Sequence, residues 1–525
     1  MEQLNPSKNP TKSSELIILT LMLFVFLLIS LVQAFRLVKI GPWQDQIMFV
    51  DPAANLYFGN GFTSSAWFAQ TKYEFWSGYP PLYSFLLYLW MRIVGFGIYT
   101  GHTLNCLLVA TCIVILWRSV IRLSLITSAK IRLIFLTLVL VELIYINNAQ
   151  QGRPDVLIAC LAATSLLIYS IPQKGLRHKL LLLISILIPL TALAAVAYTV
   201  VICSLLLIFL RKPFLRECIF IVSGLIIGSL LLYILYASNG VWLDFINSIL
   251  KNPTLAFDQR GKIAGIFGNR ILDFLVSLCF SLSIFEVLKR RFNQFSPLVL
   301  SFISISLIPL GMLLIAVSRP YYSWVVALPL ALWQFNRSPL CFGLVAIFWI
   351  PVGMRLMAAF PWYYSWMLVV PLAIVTFSSL DKLFKPYLDR QLKPSVLGSI
   401  LILLLIVAPY SGYVNLILNW KSSNYLPVES FIQTALKAVD KDHEWVLCDP
   451  ILYFAAKKEN RVVLYQYYLD AIPPEEKEKV SAIIVRPQFL SISQDKLGGR
   501  WHKDGKSLVV SNLEEKVKLE IYRRG

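Results

Sequence analysis

The chain has 525 residues, 57% of them hydrophobic and only 15% charged, with a mean hydropathy of +0.68. That balance excludes an ordinary water-soluble protein, and many separate apolar runs approach the length that crosses a bilayer. The net charge of +19 does not argue for nucleic acid: Lys and Arg concentrate in short loops between apolar runs, with no basic stripe, RNP motif or zinc-finger spacing.

Backbone groups in lipid are satisfied within a segment, so the apolar runs are expected to be helices of a polytopic α-helical membrane protein. The polar N-terminus MEQLNPSKNPTKSSE precedes a first run over 16–35. This run is too long for a signal-peptide core and lacks a small-residue cleavage site, so it reads as a retained span. Lys8 and Lys12 place the N-terminus in the cytoplasm and the first loop, 37–98, outside. Segment 80–96 opens with two prolines, carries Arg92 and is short, so it is expected to lie along the outer surface. Later spans then fall at 99–117, 133–147, 156–171 and 219–236, with a tight pair in 180–210 dividing at 189–195. Beyond them come 271–288, 297–317, 322–335, 340–354, 363–379 and 395–413. This makes about thirteen spans, and every cytoplasmic loop is basic. Treating 80–96 as a span would turn the basic clusters outward.

After Trp420 the composition becomes charged. Residues 1–420 are expected to form the membrane domain and 421–525 a small extracytoplasmic α/β domain. The latter reads as a helix over 428–439 and strands near 445–448, 462–465, 482–485, 508–510 and 518–522. It has no Gly-rich phosphate loop, and is expected to cap or support the outer face or to help bind an acceptor. Seven of the eight cysteines lie in or beside apolar runs and the four histidines are scattered. Neither a disulfide framework nor a histidine metal cluster is expected.

Segment 41–95 mixes acids, amides, tryptophans and glycines in a way that lipid-facing helices do not tolerate. Asp45, just before a segment of helical pattern, reads as a general base at the bilayer surface or as a solvated loop acid. Asp51-Pro52 reads as an N-cap with proline at the first helical position. Arg153-Pro154-Asp155 has two readings. One is a proline-started helix with Asp155 at the positive end of its dipole. The other is a second acid facing Asp45, with Arg153 beside it to bind phosphate. Glu142 lies within a span, where charge is costly; no catalytic role is assigned to it. Tyr321-Tyr322-Ser323-Trp324 and Tyr363-Tyr364-Ser365-Trp366 form an internal repeat. They read first as aromatic-belt residues. Arg319 and Arg355 near them are candidate cations for a lipid phosphate. Asp258, Arg260 and Lys262 either help to cover a site or form a solvated face.

Taken together, Asp45-Gln46, Asn55-Leu56-Tyr57-Phe58-Gly59, Pro80-Pro81-Leu82-Tyr83 followed by Gly95, and Arg153-Pro154-Asp155 resemble the GT-C superfamily of membrane glycosyltransferases. The likeness is to the branch with protein O-mannosyltransferases and the lipid A aminoarabinose transferase, and is strongest over 41–169. Gln46 replaces the usual glutamate, Tyr79 a lysine and His102 an arginine, which leaves the donor headgroup and any divalent metal open. The resemblance implies an inverting transfer of a sugar from a polyprenyl-phosphate donor to a lipid, glycan or protein acceptor. It places the reaction at the outer face of a bacterial-type inner membrane. Asp45 would activate or position the acceptor hydroxyl, and Asp155 would assist in the acceptor or metal environment. Arg153, Arg319 and Arg355 would hold the donor phosphate, with Tyr322 and Tyr364 also binding substrate. Two other readings remain: a transporter or flippase of a lipid-linked saccharide, which needs a polar path through the spans, and a non-catalytic envelope scaffold.

Overall fold

The computed structural model describes residues 10–40, 44–67, 70–149, 152–192, 215–249, 445–458, 463–470, 472–511 and 516–525, with a few residues between 296 and 402. Apart from those few residues, the expected spans from 271 to 413 lie outside the described residues, as do the 428–439 helix and Arg319, Tyr322, Arg355, Tyr364, Asp258, Arg260 and Lys262. So do the side chains of Asp45 and Glu142, whose backbone is placed in helices.

Helix α1 is Pro10–Ile40 and α2 is Gln44–Tyr57. α3 is Leu82–Val94, α4 Thr100–Arg122, α5 Ala129–Ala149 and α6 Asp155–Tyr169. α7 is Lys174–Thr191 and α8 is Leu215–Ser238. Among the described residues three helices are long and apolar enough to cross a membrane, at Ser14–Leu31, Thr100–Arg122 and Arg216–Ser238. Their apolar exposed residues, such as Phe24 and Leu28 on α1 and Ile226 and Leu230 on α8, suit contact with lipid tails. The 13 residues of α3 rise only about 20 Å, short of a hydrocarbon core of about 30 Å. Gly95, at φ +84°, ends α3 and returns its N–H to Met91 O at 2.8 Å. α7 stops at Thr191, just past Pro189, within the expected dividing point.

Helices α7 and α8 meet backbone to backbone. A Cβ at Gly224 would stand 2.6 Å from Leu182 O, and one at Gly228 closer still to Ile186 O. Glycines four apart are what such an approach requires, since two helices in lipid gain mainly from close packing.

The two ends of the helix set carry different chemistry. At one end Glu15 of α1 accepts from Trp117 Nε1 of α4 at 3.0 Å and takes both Nε and Nη2 of Arg132 of α5 at 2.8 and 2.6 Å. Asp381 accepts from the N–H groups of Thr127 and Ser128 at 2.7 and 2.9 Å, ahead of α5. At the other end the starts of α2, α4 and α6 converge.

The C-terminal residues build one five-stranded sheet of order β2-β1-β3-β5-β4. The strands are β1 (Trp445–Cys448), β2 (Val463–Tyr465), β3 (Val480–Val485), β4 (Trp501–Ser511) and β5 (Lys516–Arg524). β1 lies parallel to β2 and β3, while β5 runs antiparallel to β3 and β4. Helix α9 (Tyr453–Lys458) follows β1, and α10 (Pro487–Leu497) follows β3.

One expectation is corrected. Asp51 does not cap a helix, because α2 begins at Gln44 and runs through Asp51-Pro52. Proline supplies no N–H to the carbonyl of Met48, a defect that usually breaks a helix. The next carbonyl, Phe49 O, is held from α3 by Ser84 Oγ at 3.0 Å.

Candidate functional site

Three segments meet at the starts of α2, α4 and α6, and they meet because two of them carry glycine at the contact. A Cβ on Gly101 of α4 would stand 2.6 Å from Gly152 Cα, and a Cβ on Gly152 would stand 2.7 Å from Gln46 Cγ. Gly152 also has φ +71°, a backbone that side-chain-bearing residues avoid. Gln46 of α2 fills this junction at 0% exposure and donates Nε2 to Ile98 O at 3.1 Å. Its carbonyl oxygen is buried with no hydrogen-bond partner.

Asp45, the residue before Gln46, is therefore placed by its backbone in the first turn of α2 against this junction. One turn further, Phe49 packs edge-on against Tyr79 and Tyr83, at 5.0 and 6.4 Å between ring centres. The guanidinium of Arg153 also lies over Phe49, 5.5 Å from the ring centre. Arg153 Nε bonds Asp155 Oδ2 at 3.0 Å, and both residues are buried, at 4% and 8% exposure. Asp155 opens α6, where a carboxylate suits the positive end of the helix dipole.

The turn that carries Arg153 is held from two helices. Asn105 Nδ2 of α4 donates to Arg153 O at 3.2 Å, and Tyr83 of α3 donates its hydroxyl to Asn105 Oδ1 at 3.0 Å. A chain of side-chain bonds thus links the Pro80-Pro81-Leu82-Tyr83 motif to Arg153-Pro154-Asp155. Tyr79 O accepts from Tyr236 of α8 at 2.7 Å. His102 is buried in α4, with Nε2 3.2 Å from Ser30 O and Nδ1 without a partner.

The structure thus brings together the segments holding Asp45, Arg153 and Asp155. Sequence reasoning missed Asn105 and Phe49, which join them; an Asn one turn into an apolar helix, after Gly101, was the available signal for Asn105. Among the described residues no group of three or more His, Cys, Asp or Glu side chains comes together to hold a metal ion.

A second buried polar cluster lies on α2 itself. Asp51 accepts at Oδ2 from Ser64 Oγ at 2.9 Å and from Ser65 N at 2.7 Å. Its Oδ1 accepts from the Tyr453 hydroxyl and lies 3.1 Å from Lys457 Nζ, both on α9. Further along the loop, Lys72 enters a clasp of C-terminal residues. Its N–H donates to the Tyr468 hydroxyl at 3.0 Å, and its Nζ sits 3.5 Å from the Trp445 ring centre and 3.9 Å from Glu476.

No family model and no curated protein matches the chain. Solved structures similar to it include the oligosaccharyltransferase of Archaeoglobus fulgidus in complex with Zn and sulfate. It is 10% identical at a TM-score of 0.46, covering 89% of this chain and 68% of that one. ArnT from Cupriavidus metallidurans, bound to undecaprenyl phosphate, is 12% identical at a TM-score of 0.42, covering 95% of this chain and 97% of that one. The Archaeoglobus fulgidus oligosaccharyltransferase AglB, in complex with an inhibitory peptide and a dolichol-phosphate, is 11% identical at a TM-score of 0.42, covering 91% and 70%. At such identities and TM-scores the likeness transfers no residue role to this chain.

Proposed function

We propose that the chain is an integral-membrane glycosyltransferase that moves a sugar from a polyprenyl-phosphate donor to an envelope acceptor at the outer face of the membrane. The observation that carries this reading is the junction of α2 with α6. The turn bearing Asp45 packs, through Gln46 and Phe49, against the turn bearing the buried Arg153–Asp155 pair. An acid next to a fixed guanidinium is the pairing that transfer from a phosphate requires.

In this reading Asp45 takes the proton of the acceptor hydroxyl as its oxygen attacks the anomeric carbon. The bond from that carbon to the phosphate oxygen breaks, the sugar inverts, and polyprenyl phosphate leaves. Negative charge grows on the phosphate during this step, and arginine stabilises it best when its orientation is set beforehand. Asp155 sets that of Arg153; Arg319 and Arg355 are further candidates for the phosphate, and Tyr322 and Tyr364 for binding substrate. Asp155 also keeps its role toward the acceptor.

The test compares cells carrying the wild-type chain with cells carrying Asp45→Asn at equal expression, by mass spectrometry of polyprenyl-phosphate sugars and envelope glycans. The expected result is that one lipid-linked sugar accumulates while one glycan loses that sugar. If neither pool changes, Asp45 is not the base, and a transporter or scaffold becomes the better reading.

A further inference from the structure

We infer that Tyr453 and Lys457, in the C-terminal sheet unit, are positioning residues for the carboxylate on α2. The inference rests on the transferase reading with Asp45 at the reacting centre.

Asp51 and Asn55 stand four residues apart on α2 and so share a face; Tyr453 and Lys457 are related in the same way on α9. The two faces interlock. Tyr453 donates to Asp51 Oδ1, Lys457 Nζ lies 3.1 Å from the same oxygen, and Lys457 Nζ donates to Asn55 Oδ1 at 2.7 Å. Asn55 Nδ2 in turn donates to Thr63 O at 2.7 Å. Asp51 is 0% exposed and Lys457 5%. Two charges withdrawn from water are tolerated when their donors and acceptors are matched, and such a matched network fixes one geometry.

What that geometry fixes follows from Pro52. The proline breaks the hydrogen-bond ladder of α2 between its first two turns, which carry Asp45, and its last, which carries Asn55. Asp51 lies on one side of the break and Asn55 on the other, and the ammonium of Lys457 holds both. A single cation from the far end of the chain spans the weak point and sets the angle between the two halves. Phe454, next to Tyr453, stacks on Phe96 at 5.5 Å and steadies the contact from the side.

The experiment uses the full-length protein in detergent micelles and the same cells as above. With Lys457→Met, amide exchange over 44–51 is expected to accelerate at least about tenfold. Exchange within α4 and α6 should stay unchanged, and the lipid-linked sugar should accumulate as with Asp45→Asn. Lys457→Arg, which keeps the charge, is expected to keep both protection and transfer. Should Lys457→Met fail to fold, the pair Asp51→Asn/Lys457→Met leaves no unpaired buried charge and carries the same test. Acceleration confined to 453–458, or spread over the whole chain, overturns the inference. It is equally overturned if α2 loosens while transfer is untouched in cells where Asp45→Asn abolishes it. If Asp45→Asn itself changes neither pool, the transferase reading falls first and takes the inference with it.

Discussion

At the scale of single residues, the site depends on side chains that are held before any substrate arrives. Arg153 is fixed by Asp155 through its Nε and by Asn105 through its backbone carbonyl. Lysine has one compact cationic head and no Nε, so Arg153→Lys is not conservative here. We expect it to lower transfer by about ten- to a hundredfold, the scale of an ångström-sized misplacement. The measurement is the ratio of lipid-linked to glycan-linked sugar at equal expression. Tyr83→Phe removes the hydroxyl that holds Asn105 and is expected to act in the same direction, but less. These residues were partly legible. Asp45, Arg153 and Asp155 stood out because charges are rare near apolar runs, whereas Asn105 and Phe49 blend into their helices. Asp51 was misread for a physical reason: Asp-Pro is a good helix start locally, and only Ser84, on another helix, shows how the proline is accommodated inside one.

Among the described elements, α7 and α8 touch closely, because Gly224 and Gly228 leave no side chain between their backbones. Gly228→Val places its Cβ against Ile186 O and adds two methyl groups beyond it, and such overpacking costs about 1–3 kcal/mol. Thermal unfolding of the purified protein in detergent should show the loss, while Gly175→Val, on α7 with an ordinary φ and nothing within 4 Å of its Cβ, should leave it nearly unchanged. In the sheet, the β4–β5 hairpin gathers charge around Glu520. Its carboxyl is pushed down to about 2, first by the hydrogen bond from Lys503, then by those from Lys518 and Tyr522. The folded value lies below the ordinary one of 4.5, so the stabilisation is complete above that pH and is lost as pH falls from 4.5 toward 2. Glu520→Gln is expected to flatten that part of the unfolding-temperature profile between pH 5 and pH 3. The strands themselves were readable, since the short apolar runs at 445–448 and 480–485, the second rich in Val and Ile, are local signals. α9 was not, because six residues carry too little periodicity to announce a helix.

For the whole molecule, the C-terminal unit clamps α2 at Asp51 and the loop after it at Lys72. Burial pushes Lys72 down to about 8, with Glu476 opposing the change and Lys479 and Lys457 adding to it. The clasped form therefore holds fewer protons than a released one between about 8 and the ordinary 10.5, and the clasp tightens as pH rises through that window. Limited proteolysis of the loop at pH 7.5 and pH 9.5 should show cleavage slowing at the higher pH, and Lys72→Met should abolish the difference. The apolar character of the helices at Ser14–Leu31, Thr100–Arg122 and Arg216–Ser238 was readable from sequence, because lipid is a strong constraint on composition. The clamps were not, since each joins residues far apart in the chain and no local pattern marks the partner.

The distance between those partners also imposes an order on biosynthesis. Asp51 and the two α9 residues that hold it are separated by 402 and 406 positions, the second being the first plus the four-residue step from Tyr453 to Lys457. At about 5–20 residues per second, a ribosome needs on the order of 20–80 s to travel from the first of them to the others. Through that interval the proline-broken helix has no outside brace. A nascent chain would carry its acid into the membrane long before it could aim it. Competence for chemistry would then arrive in one step, once α9 has been translated, and a product terminated before it would be inert rather than misdirected.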